Sequence, residues 1–463
     1  MKPLTVTEIA TATGGELVMP AALGGGADVL VTSVSTDTRS LLEGCLFIAL
    51  RGDHFDGHAF APAAAKKGAA CLMLDELPQA GADLGVPVVV VKDTLIGLQR
   101  LAMWYRRQLD VRVIGITGSN GKTSTKDFTA SVLTRKFKVN ATRGNLNNHI
   151  GLPLSVLATE EIDQVCVWEM GMNHAGEIAP LCEIAAPDIG IITNIGTAHI
   201  EFLGTREGIA EEKGALARAL PEQGTLIVPA TCDFVDYLIQ RTPAKVIVAG
   251  NGRGAVRAEE LKMTETGSAF KLCIDGQDDV AVEIPVSGRH MVNNALLAAA
   301  AGYSLGMDSA EIAAGLNAAV LTSGRLRRYV SNGITVIDDT YNANPDSVAA
   351  AIETLSELPV NNGARRVVVL GMMAELGVHA DAEHLRIGRL AAGKNLQVVT
   401  VGAGVDKIHQ GASELVETAK QFGDADSAAA WLKDFCREGD NVLFKGSRMA
   451  GMENVMHRAF PQN

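Results

Sequence analysis

The sequence has little cysteine, and its cysteines do not form a recognisable structural pattern. The seven cysteines among 463 residues are widely spaced, and no C-x-x-C pair occurs. An odd number of scattered cysteines indicates neither a disulfide framework nor a zinc knuckle. We therefore expect the protein to work in a reducing compartment, the cytoplasm.

Long apolar runs and an excess of positive charge are also lacking. No apolar run reaches the roughly 18 residues of a membrane span, and the first residues, MKPLTVTEIATATGG, lack the apolar core of a signal peptide. The formal net charge is -12, which argues against nucleic acid or an anionic membrane as the main partner. We expect no nucleic-acid binding and no membrane anchor.

The chain is long enough for two or three domains. Residues 1–92 combine short strand candidates with an alanine-rich helical stretch, which predicts a small α/β domain. Over residues 93–321, strand-like runs alternate with helical stretches, which is typical of a parallel sheet covered on both faces. Two further runs there, AFKLCIDG and DVAVEIPV, predict an antiparallel hairpin at the sheet edge. Residues 322–463 repeat the alternation, which predicts a second doubly wound domain.

One strand-to-helix turn carries a phosphate-binding pattern, in the segment VIGITGSNGKTSTKDF at 113–128. Gly118 and Gly121 allow backbone angles that aim N–H groups at an anion beside a helix N-terminus. Lys122 would supply a cation and Thr123 a hydroxyl for Mg²⁺. The pattern is not a complete G-x-x-x-x-G-K-[ST] motif, because Ile116 stands five positions before Gly121. A purely structural turn is the alternative interpretation.

Three further residues are candidates for chemistry. Glu169 and His199 each follow an apolar strand, at the sheet edge where ligands of parallel sheets usually bind. The alternatives are a solvated charge at a strand end and a hydrogen-bonded structural histidine. Lys213 interrupts an apolar helical stripe at its inward face, and a lysine that reaches out along the stripe's edge is the alternative.

Polar clusters occur near the second boundary as well. The asparagines of GRHMVNNAL begin an alanine-rich helix, where helix capping is the alternative to a ligand contact. The segment SGRLRRY brings Arg325, Arg327 and Arg328 close to that boundary, so that one of them could reach a triphosphate across a cleft. The segment VIDDTYNANPDS follows a strand and is too polar to be only a turn.

Taken together, these segments resemble the Mur ligases of peptidoglycan synthesis. The resemblance runs in order along almost the whole chain, and its motifs are STDTRSLLEGCLFIALRGDHFDGHAF, TGSNGKTSTK, GNLNNHIGLP, EMGMNHAGEI, TNIGTAHIEFLG, EEKGAL, GRHMVNNAL, SGRL, DDTYNANPDS, GMMAELG and KGSR. The segments DDTYNANP and MAELG are similar to the family members that add D-alanyl-D-alanine. The D-N-P-R motif of the members that add diaminopimelate is absent.

The resemblance implies a fold, an activity and partners. It implies an α/β chain of three domains: one for a UDP-sugar peptide (1–92), a central P-loop ATPase with a mostly parallel sheet (93–321) and a C-terminal Rossmann-like ligase domain (322–463). The implied activity joins D-alanyl-D-alanine to the terminal carboxylate of UDP-N-acetylmuramoyl-tripeptide through an acyl phosphate, with release of ADP. It also implies a cytoplasmic monomer that serves cell-wall biogenesis, and through it cell shape, cell division and the cell cycle.

The resemblance also implies roles for individual residues. Catalysis would involve Lys122, Glu169, His199 and Lys213, and two Mg²⁺ ions would be held by Thr123, Glu169, His199 and a carbamoylated Lys213. The remaining implied contacts are to ATP, by Gly118, Ser119, Asn120, Gly121, Lys122, Thr123, Ser124, Asn294, Arg325 and Asp339, and to the other substrates, by Asp37, Thr38, Arg39, Asn145, Asn147, Asn148, Asn342 and Asn344.

Two positions depart from the family pattern, and rival functions stay open. Met291 stands where relatives read G-R-H-N, which affects one nucleotide contact, and Met372 stands where relatives often have an aspartate, which weakens the assignment of an acid to that loop. The rivals are another ligase of the superfamily, such as a folylpolyglutamate synthetase or a different Mur ligase, and a nucleotide-regulated binding protein without the chemistry. The third residue of the tripeptide and the group that accepts the amine proton stay open.

Overall fold

The computed structural model describes residues 1–20, 28–52, 55–77, 84–264, 266–360 and 363–462. Asp53 and His54, which belong to the first family motif, lie outside the described residues. The chain forms two compact units, of which the first contains Met1–Gly115, Phe137–Met172 and Gly176–Asp188. The second contains Ile116–Lys136, Asn173–Ala175 and the chain from Ile189 onwards. The domain boundaries at 92/93 and 321/322 remain predictions.

The elements up to residue 188 are short strands and helices in alternation. In chain order they are β1 (Leu4–Thr5), α1 (Val6–Thr13), β2 (Glu16–Val18), β3 (Leu30–Val31), β4 (Ser33–Ser35), β5 (Cys45–Ile48), β6 (Arg51–Gly52), β7 (Phe55–Asp56), α2 (Ala61–Lys66), β8 (Cys71–Leu74), β9 (Val88–Val90), α3 (Thr94–Arg106), β10 (Arg112–Thr117), α4 (Lys122–Leu133), β11 (Val139–Ala141), α5 (Gly151–Leu157), β12 (Val165–Glu169) and α6 (Ile178–Ala185).

The first unit contains a sheet with the strand order β2-β9-β8-β5-β4. Its strands are parallel except β2, which runs antiparallel to β9. Phe47 and Leu72 are fully buried between this sheet and the alanines of α2. The predicted strands and alanine-rich helix are therefore present, while their separation as a domain of residues 1–92 remains a prediction. In the same unit β11 pairs in parallel with β12, which ends at Glu169.

From residue 189 onwards strands and helices again alternate. They are β13 (Ile189–Ile192), α7 (Ile200–Leu203), α8 (Arg206–Ala219), β14 (Thr225–Pro229), α9 (Val235–Ile239), β15 (Lys245–Asn251), β16 (Val256–Met263), β17 (Ser268–Ile274), β18 (Val280–Ile284), α10 (Arg289–Ser304), α11 (Ser309–Asn317), β19 (Arg327–Ser331), β20 (Ile334–Asp339), α12 (Pro345–Glu357), β21 (Arg366–Leu370), α13 (Ala380–Gly393), β22 (Gln397–Val401), α14 (Asp406–Ser413), β23 (Lys420–Phe422), α15 (Ala425–Phe435), β24 (Asn441–Lys445) and α16 (Met452–Ala459).

The second unit contains two sets of mostly parallel strands. The first runs in the order β13-β14-β15-β16-β17-β18, in which β13 to β16 are parallel and β17 and β18 form the predicted antiparallel hairpin. The second runs in the order β19-β20-β24-β21-β22-β23, and only β19 is antiparallel. The predicted second doubly wound sheet is confirmed. Each helix of the described chain is too short or too polar to span a bilayer.

The register of the second sheet brings the carboxyl ends of three strands together. Asp339, the last residue of β20, lies beside Lys445, the last residue of β24, and Leu370 of β21 lies on the other side of Lys445. The loops that leave these ends contain the DDTYNANPDS, KGSR and GMMAELG motifs. Ligands of parallel sheets bind at this edge, so the fold places the three motifs where contacts to a substrate are expected.

Candidate active site

The turn between β10 and α4 fits glycine at its two key positions. Gly118 and Gly121 have φ angles of 149° and 80°, which other residues rarely adopt. A Cβ at Gly118 would overlap the hydroxyl of Thr193, and one at Gly121 would come within 2.6 Å of Asn294 Oδ1. Backbone conformation and close packing therefore both require glycine here.

The N-terminus of α4 has no side-chain cap. Gly121 occupies the N-cap position, and Thr123 and Ser124 of the first turn are buried. Lys122 Nζ donates to the carbonyl oxygen of Gly118 at 2.8 Å, which keeps the ammonium group beside the turn. Asn120 Nδ2 is buried and has no hydrogen-bond partner among the described residues. An uncapped helix start with a cation and a buried amide donor beside it has the features that favour an anionic ligand.

The loop after β13 holds the phosphate-binding turn in place. Asn194 accepts from the backbone N–H of Ser119 at 3.1 Å and, through Oδ1, from that of Asn120 at 2.8 Å. Thr193 Oγ1 donates to the carbonyl oxygen of Asn120 at 2.5 Å, and Gly196 N donates to Ser119 Oγ at 2.9 Å. Thr193 and Asn194 stand in the TNIGTAHIEFLG motif, but no local pattern there predicts this role.

Lys213 lies inside the apolar stripe of α8, as the sequence predicts. It is only 1% exposed, and the stripe residues Ile209, Leu216 and Leu220 are buried with it. The alternative of a lysine that reaches solvent is therefore wrong. Burial, followed by the charge of Lys122, lowers the pKa of Lys213 well below its usual 10.5, while Glu212 opposes the shift. The neutral amine is thus far more accessible at Lys213 than at a surface lysine.

His199 is contacted by an acid that the sequence analysis missed. Its Nδ1 lies 2.6 Å from Oε2 of Glu375, and both residues have left-handed backbone conformations, with φ of 63° and 61°. The hydrogen bond from His199 lowers the pKa of Glu375, with burial opposing it. The departure at Met372 had weakened the assignment of an acid to this loop, yet Glu375 of the same GMMAELG segment fills that role.

The loop after β20 is tied to both the sheet and the phosphate-binding turn. Lys445 Nζ lies 2.5 Å from Asp339 Oδ2 and donates to the carbonyl oxygen of Asn342 at 3.1 Å. Asn344 is the N-cap of α12, and its Nδ2 donates to Asn120 Oδ1 at 2.7 Å. The loop therefore caps α12, and it also contacts the glycine turn that is predicted to bind phosphate.

The other predicted nucleotide contacts are buried polar groups of the second unit. Asn294 is 7% exposed within α10, which begins after Gly288 without a side-chain cap, so the capping alternative is wrong for this residue. Its Nδ2 lies 3.7 Å from the sulfur of Met291, the residue that departs from the family pattern. The guanidinium of Arg325 lies 4.5 Å from the ring centre of Tyr341, and its Nε is buried without a hydrogen-bond partner among the described residues. Arg327 is exposed, in contrast.

Glu169 and the asparagine segment belong to the first unit. Glu169 is 3% exposed and accepts from Asn147 Nδ2 at 2.8 Å, so it is not a solvated strand-end charge. Asn148 Oδ1 accepts from the backbone N–H groups of Ile150 and Gly151 and thereby holds the start of α5. Asn145 is exposed. The structure thus brings Glu169 and Asn147 together and gives Asn148 a role in the backbone.

The predicted UDP-sugar contacts form a small polar cluster in the first unit. Arg39 pairs with Asp37 at 2.7 Å, and Lys67 Nζ donates to the carbonyl oxygen of Thr38 at 2.9 Å. The hydrogen bond from Arg39 is the main cause that lowers the pKa of Asp37 to about 2. Arg39 and Lys67 provide positive charge that suits a diphosphate.

The donor set suits a nucleotide directly and Mg²⁺ only in part. Asn120 Nδ2 and Arg325 Nε are buried donors without partners among the described residues, which fits an anionic ligand. In the same part of the chain, no three His, Cys, Asp or Glu side chains are grouped as around a metal ion. Mg²⁺ prefers oxygen ligands. In the second unit Thr123 supplies one hydroxyl oxygen, and a carbamate on Lys213 would supply two more oxygens.

The fold and this turn define a P-loop nucleotide-binding protein. Three family models match consecutive regions of the chain: "Mur ligase family, catalytic domain" at 30–103, "Mur ligase middle domain" at 116–302 and "Mur ligase, glutamate ligase domain" at 324–448. The chain belongs to the Mur ligase family, and the resemblance drawn from its motifs is confirmed.

Curated relatives match over the whole chain. The UDP-N-acetylmuramoyl-tripeptide--D-alanyl-D-alanine ligase of Escherichia coli is 36% identical over 470 residues, which cover 100% of this chain and 99% of the relative. The enzyme of the same name from Bacillus subtilis is 36% identical and covers 98% of this chain and 97% of its own length.

Solved structures match equally fully. MurF from Acinetobacter baumannii has a TM-score of 0.90 at 32% identity, with 100% of both chains covered. MurF ligase from Thermotoga maritima in complex with ADP has a TM-score of 0.82 at 26% identity, and the match covers 94% of this chain and 98% of that one. The predicted fold class, α/β with mostly parallel sheets, is confirmed.

Proposed function

We propose that this chain is an ATP-dependent ligase that joins D-alanyl-D-alanine to the terminal carboxylate of UDP-N-acetylmuramoyl-tripeptide in peptidoglycan precursor synthesis. The observation that carries the proposal is the uncapped N-terminus of α4, with Lys122 and the buried Nδ2 of Asn120 beside it. The full-length match to relatives named for this reaction supports the choice of substrates.

The reaction requires a site that neutralises anions. A carboxylate resists attack by an amine because its leaving group would be oxide, so ATP first transfers its γ-phosphoryl group to that carboxylate and ADP is released. The amine of the dipeptide then attacks the acyl carbon, phosphate leaves and the amide forms. Residues Gly118–Ser124 bind the triphosphate, and Lys122 offsets the charge of the transferred phosphoryl group. Asn294, Arg325 and Asp339 complete the nucleotide contacts.

Magnesium is part of the proposal. Bound Mg²⁺ would supply positive charge that offsets the repulsion between the two anionic reactants. Thr123, Glu169, His199 and Lys213 are proposed as its ligands. Glu375 holds Nδ1 of His199, which leaves Nε2 as the nitrogen available to a ligand and matches the common pairing of metal-bound histidines with carboxylates.

Lys213 is proposed to carry a carbamate. Only a neutral amine adds CO₂, and the buried position beside Lys122 lowers the pKa of Lys213, which favours that form. Addition would release one proton and convert the neutral amine into an anion, whose oxygens are of the type that Mg²⁺ prefers. The modification would also place a negative charge near the cation of Lys122.

The remaining assignments follow the family. Domain 1–92 is proposed to bind the UDP-sugar through Asp37, Thr38 and Arg39, with Asn145, Asn147 and Asn148 of the central domain (93–321) contacting the peptide. Asn342 and Asn344 of domain 322–463 are proposed to contact the incoming dipeptide. We further propose that the protein acts as a monomer in the cytoplasm and serves cell shape, division and the cell cycle through the cell wall.

Product analysis tests the function. The protein is incubated with ATP, Mg²⁺, D-alanyl-D-alanine and a UDP-N-acetylmuramoyl-tripeptide whose third residue is diaminopimelate or lysine, and the products are identified by mass spectrometry. The expected product is the UDP-pentapeptide with one ADP and one phosphate. Glutamate and a folate in place of these substrates test the folate-type rival. Nucleotide binding without any ligated product would instead favour the nucleotide-regulated binding protein.

A further inference from the structure

The first turn of α12 contacts both loops that surround the predicted phosphate site. Asn344 Nδ2 donates to Asn120 Oδ1 in the phosphate-binding turn at 2.7 Å. Asp346 Oδ2 accepts from the backbone N–H of Thr197 at 2.7 Å and from its hydroxyl at 2.9 Å. Thr197 lies in the loop that leads from β13 to His199. We call Asn344 and Asp346 the α12 clamp.

Asn344 uses its two amide atoms for two different contacts. Its oxygen accepts from the backbone N–H of Ser347 at 2.9 Å and so caps α12, while its nitrogen reaches Asn120. Aspartate or serine would cap the helix equally well. The capping role alone does not require an amide, and the contact with Asn120 does.

The contact of Asp346 is close and depends on the shape of the loop. A Cβ at residue 196 would overlap Asp346 Oδ2, so the approach is possible only because residue 196 is glycine. On its other side the loop is held by Arg206, which donates to the carbonyl oxygen of Ile195 at 2.8 Å. Hydrogen bonds to a carboxylate are roughly twice as strong as neutral ones, so Asp346 fixes Thr197 firmly.

We propose that the α12 clamp positions the phosphate-binding turn and the Thr193–His199 loop for phosphoryl transfer. This inference rests on the proposed function: it adds Asp346 as a positioning residue and assigns to Asn344 a positioning role in place of a contact with the dipeptide, because both of its amide atoms are already bonded. The loop that contains Asn342 leads into α12. The clamp therefore connects this loop to the predicted nucleotide site. Its loss therefore lowers the rate of the chemical step more than it lowers nucleotide affinity, because the contacts of Gly118–Ser124 with phosphate do not pass through α12.

Asp346→Ala tests the proposal, with Glu353→Gln as the matched control on the same helix. Glu353 is half-exposed and pairs with Lys394 at 3.1 Å, away from Thr197. We expect Asp346→Ala to lower kcat about tenfold or more, the loss expected for charged hydrogen bonds, and to change the Kd of a non-hydrolysable ATP analogue less than about threefold. The control should match wild type in both. A kcat within about twofold of wild type, or an equal loss in affinity, would overturn the proposal.

Hydrogen exchange provides a readout that does not depend on activity. The amide N–H of Thr197 is bonded to Asp346, so Asp346→Ala should raise exchange at Thr197 selectively, and Glu353→Gln should not. Unchanged protection of Thr197 in Asp346→Ala would overturn the clamp, whatever the activity of the protein. Failure of the wild-type protein to make the UDP-pentapeptide would refute the proposed function alone. The two results can therefore be told apart.

Asn344→Asp keeps the test informative if Asp346→Ala fails to fold. The new carboxylate still caps α12 but has no N–H for Asn120, so the melting temperature should stay close to that of wild type while kcat falls. Asn344→Ala should lower both. Equal turnover in wild type and Asn344→Asp would contradict the role of the Asn120 contact.

Discussion

Two strand-to-helix turns of the second unit differ in how their helices begin. The turn after β10 leads into α4 through Gly121, without a side-chain cap, whereas the turn after β20 leads into α12 through Asn344, which forms a capping box with Ser347. A cap satisfies N–H groups that an anion would otherwise bind. The difference in capping supports the proposals that α4 binds phosphate and that α12 supports it.

Removing the cation beside α4 should have the largest effect. Lys122→Ala leaves the uncapped helix in place but removes the charge that stabilises phosphoryl transfer, so we expect turnover to fall by at least about 10²-fold. The measurement is phosphate release with both substrates, and thermal melting checks that the variant folds. Near-normal ligation would refute the assignment of this turn to the triphosphate.

Lys213→Ala should also lose most ligase activity while the ATP analogue still binds. The variant lacks the amine that carries the carbamate, and added acetate, a small carboxylate, should restore part of the activity by filling the vacated oxygen positions. Bicarbonate depletion should lower wild-type activity reversibly. Lys245→Ala, at an exposed lysine, is the control. Wild-type turnover by Lys213→Ala would contradict the carbamate.

Gly121→Ala should disturb the uncapped turn before α4. The added Cβ would lie 2.6 Å from Asn294 Oδ1, at a backbone φ of 80°, so we expect about 1–3 kcal/mol of destabilisation and a clear loss of nucleotide affinity. Gly252→Ala is the matched control, since it has a φ of 73° and nothing within 4 Å of the added Cβ. Equal melting temperatures and affinities for both variants would show that the contact with Asn294 is unimportant.

Mild acid should have the smallest effect, through the loop after β21. His384 is buried and its Nε2 accepts from the backbone N–H of Met373 at 2.9 Å, which requires the neutral ring. Burial is the main cause that lowers the pKa of His384. The unfolded chain therefore binds the proton first as the pH falls, and stability is lost from about pH 6.5 downwards, by up to about 1.4 kcal/mol for each unit by which the pKa is lowered.

His384→Gln measures this contribution. The melting temperature should fall less between pH 7 and 5 in His384→Gln than in wild type, because the variant lacks the buried imidazole of residue 384. His457→Gln, at an exposed histidine, should keep the wild-type pH dependence. Identical pH profiles for wild type and His384→Gln would refute the assignment.

The features that could be predicted from the sequence are those set by residues close together along the chain. The glycine turn, the strand that precedes it and the inward-facing Lys213 depend on residues within a few positions of each other, and the structure has all three. The alternation of strands and helices likewise predicted both sheets and the β17–β18 hairpin. The register that places Lys445 beside Asp339 does not follow from alternation, since these residues are 106 positions apart.

Contacts between distant loops could not be predicted for the same reason. Asn120 and Asn344 are separated by 224 positions, and each lies in a motif that was recognised separately. Glu375 could not be singled out either, because its role depends on a contact with His199, which is far away along the chain. Each motif shows which polar side chains it contains. It does not show which side chains of another motif they contact in the folded chain.

A crystal structure with Mg²⁺ and a non-hydrolysable ATP analogue would show directly where the phosphates bind. We expect phosphate oxygens to lie about 3 Å from the backbone N–H groups at the start of α4 and from Lys122 Nζ, with α12 still capped by Asn344. Phosphates bound at the N-terminus of α12, or anywhere away from Gly118–Ser124, would contradict this expectation.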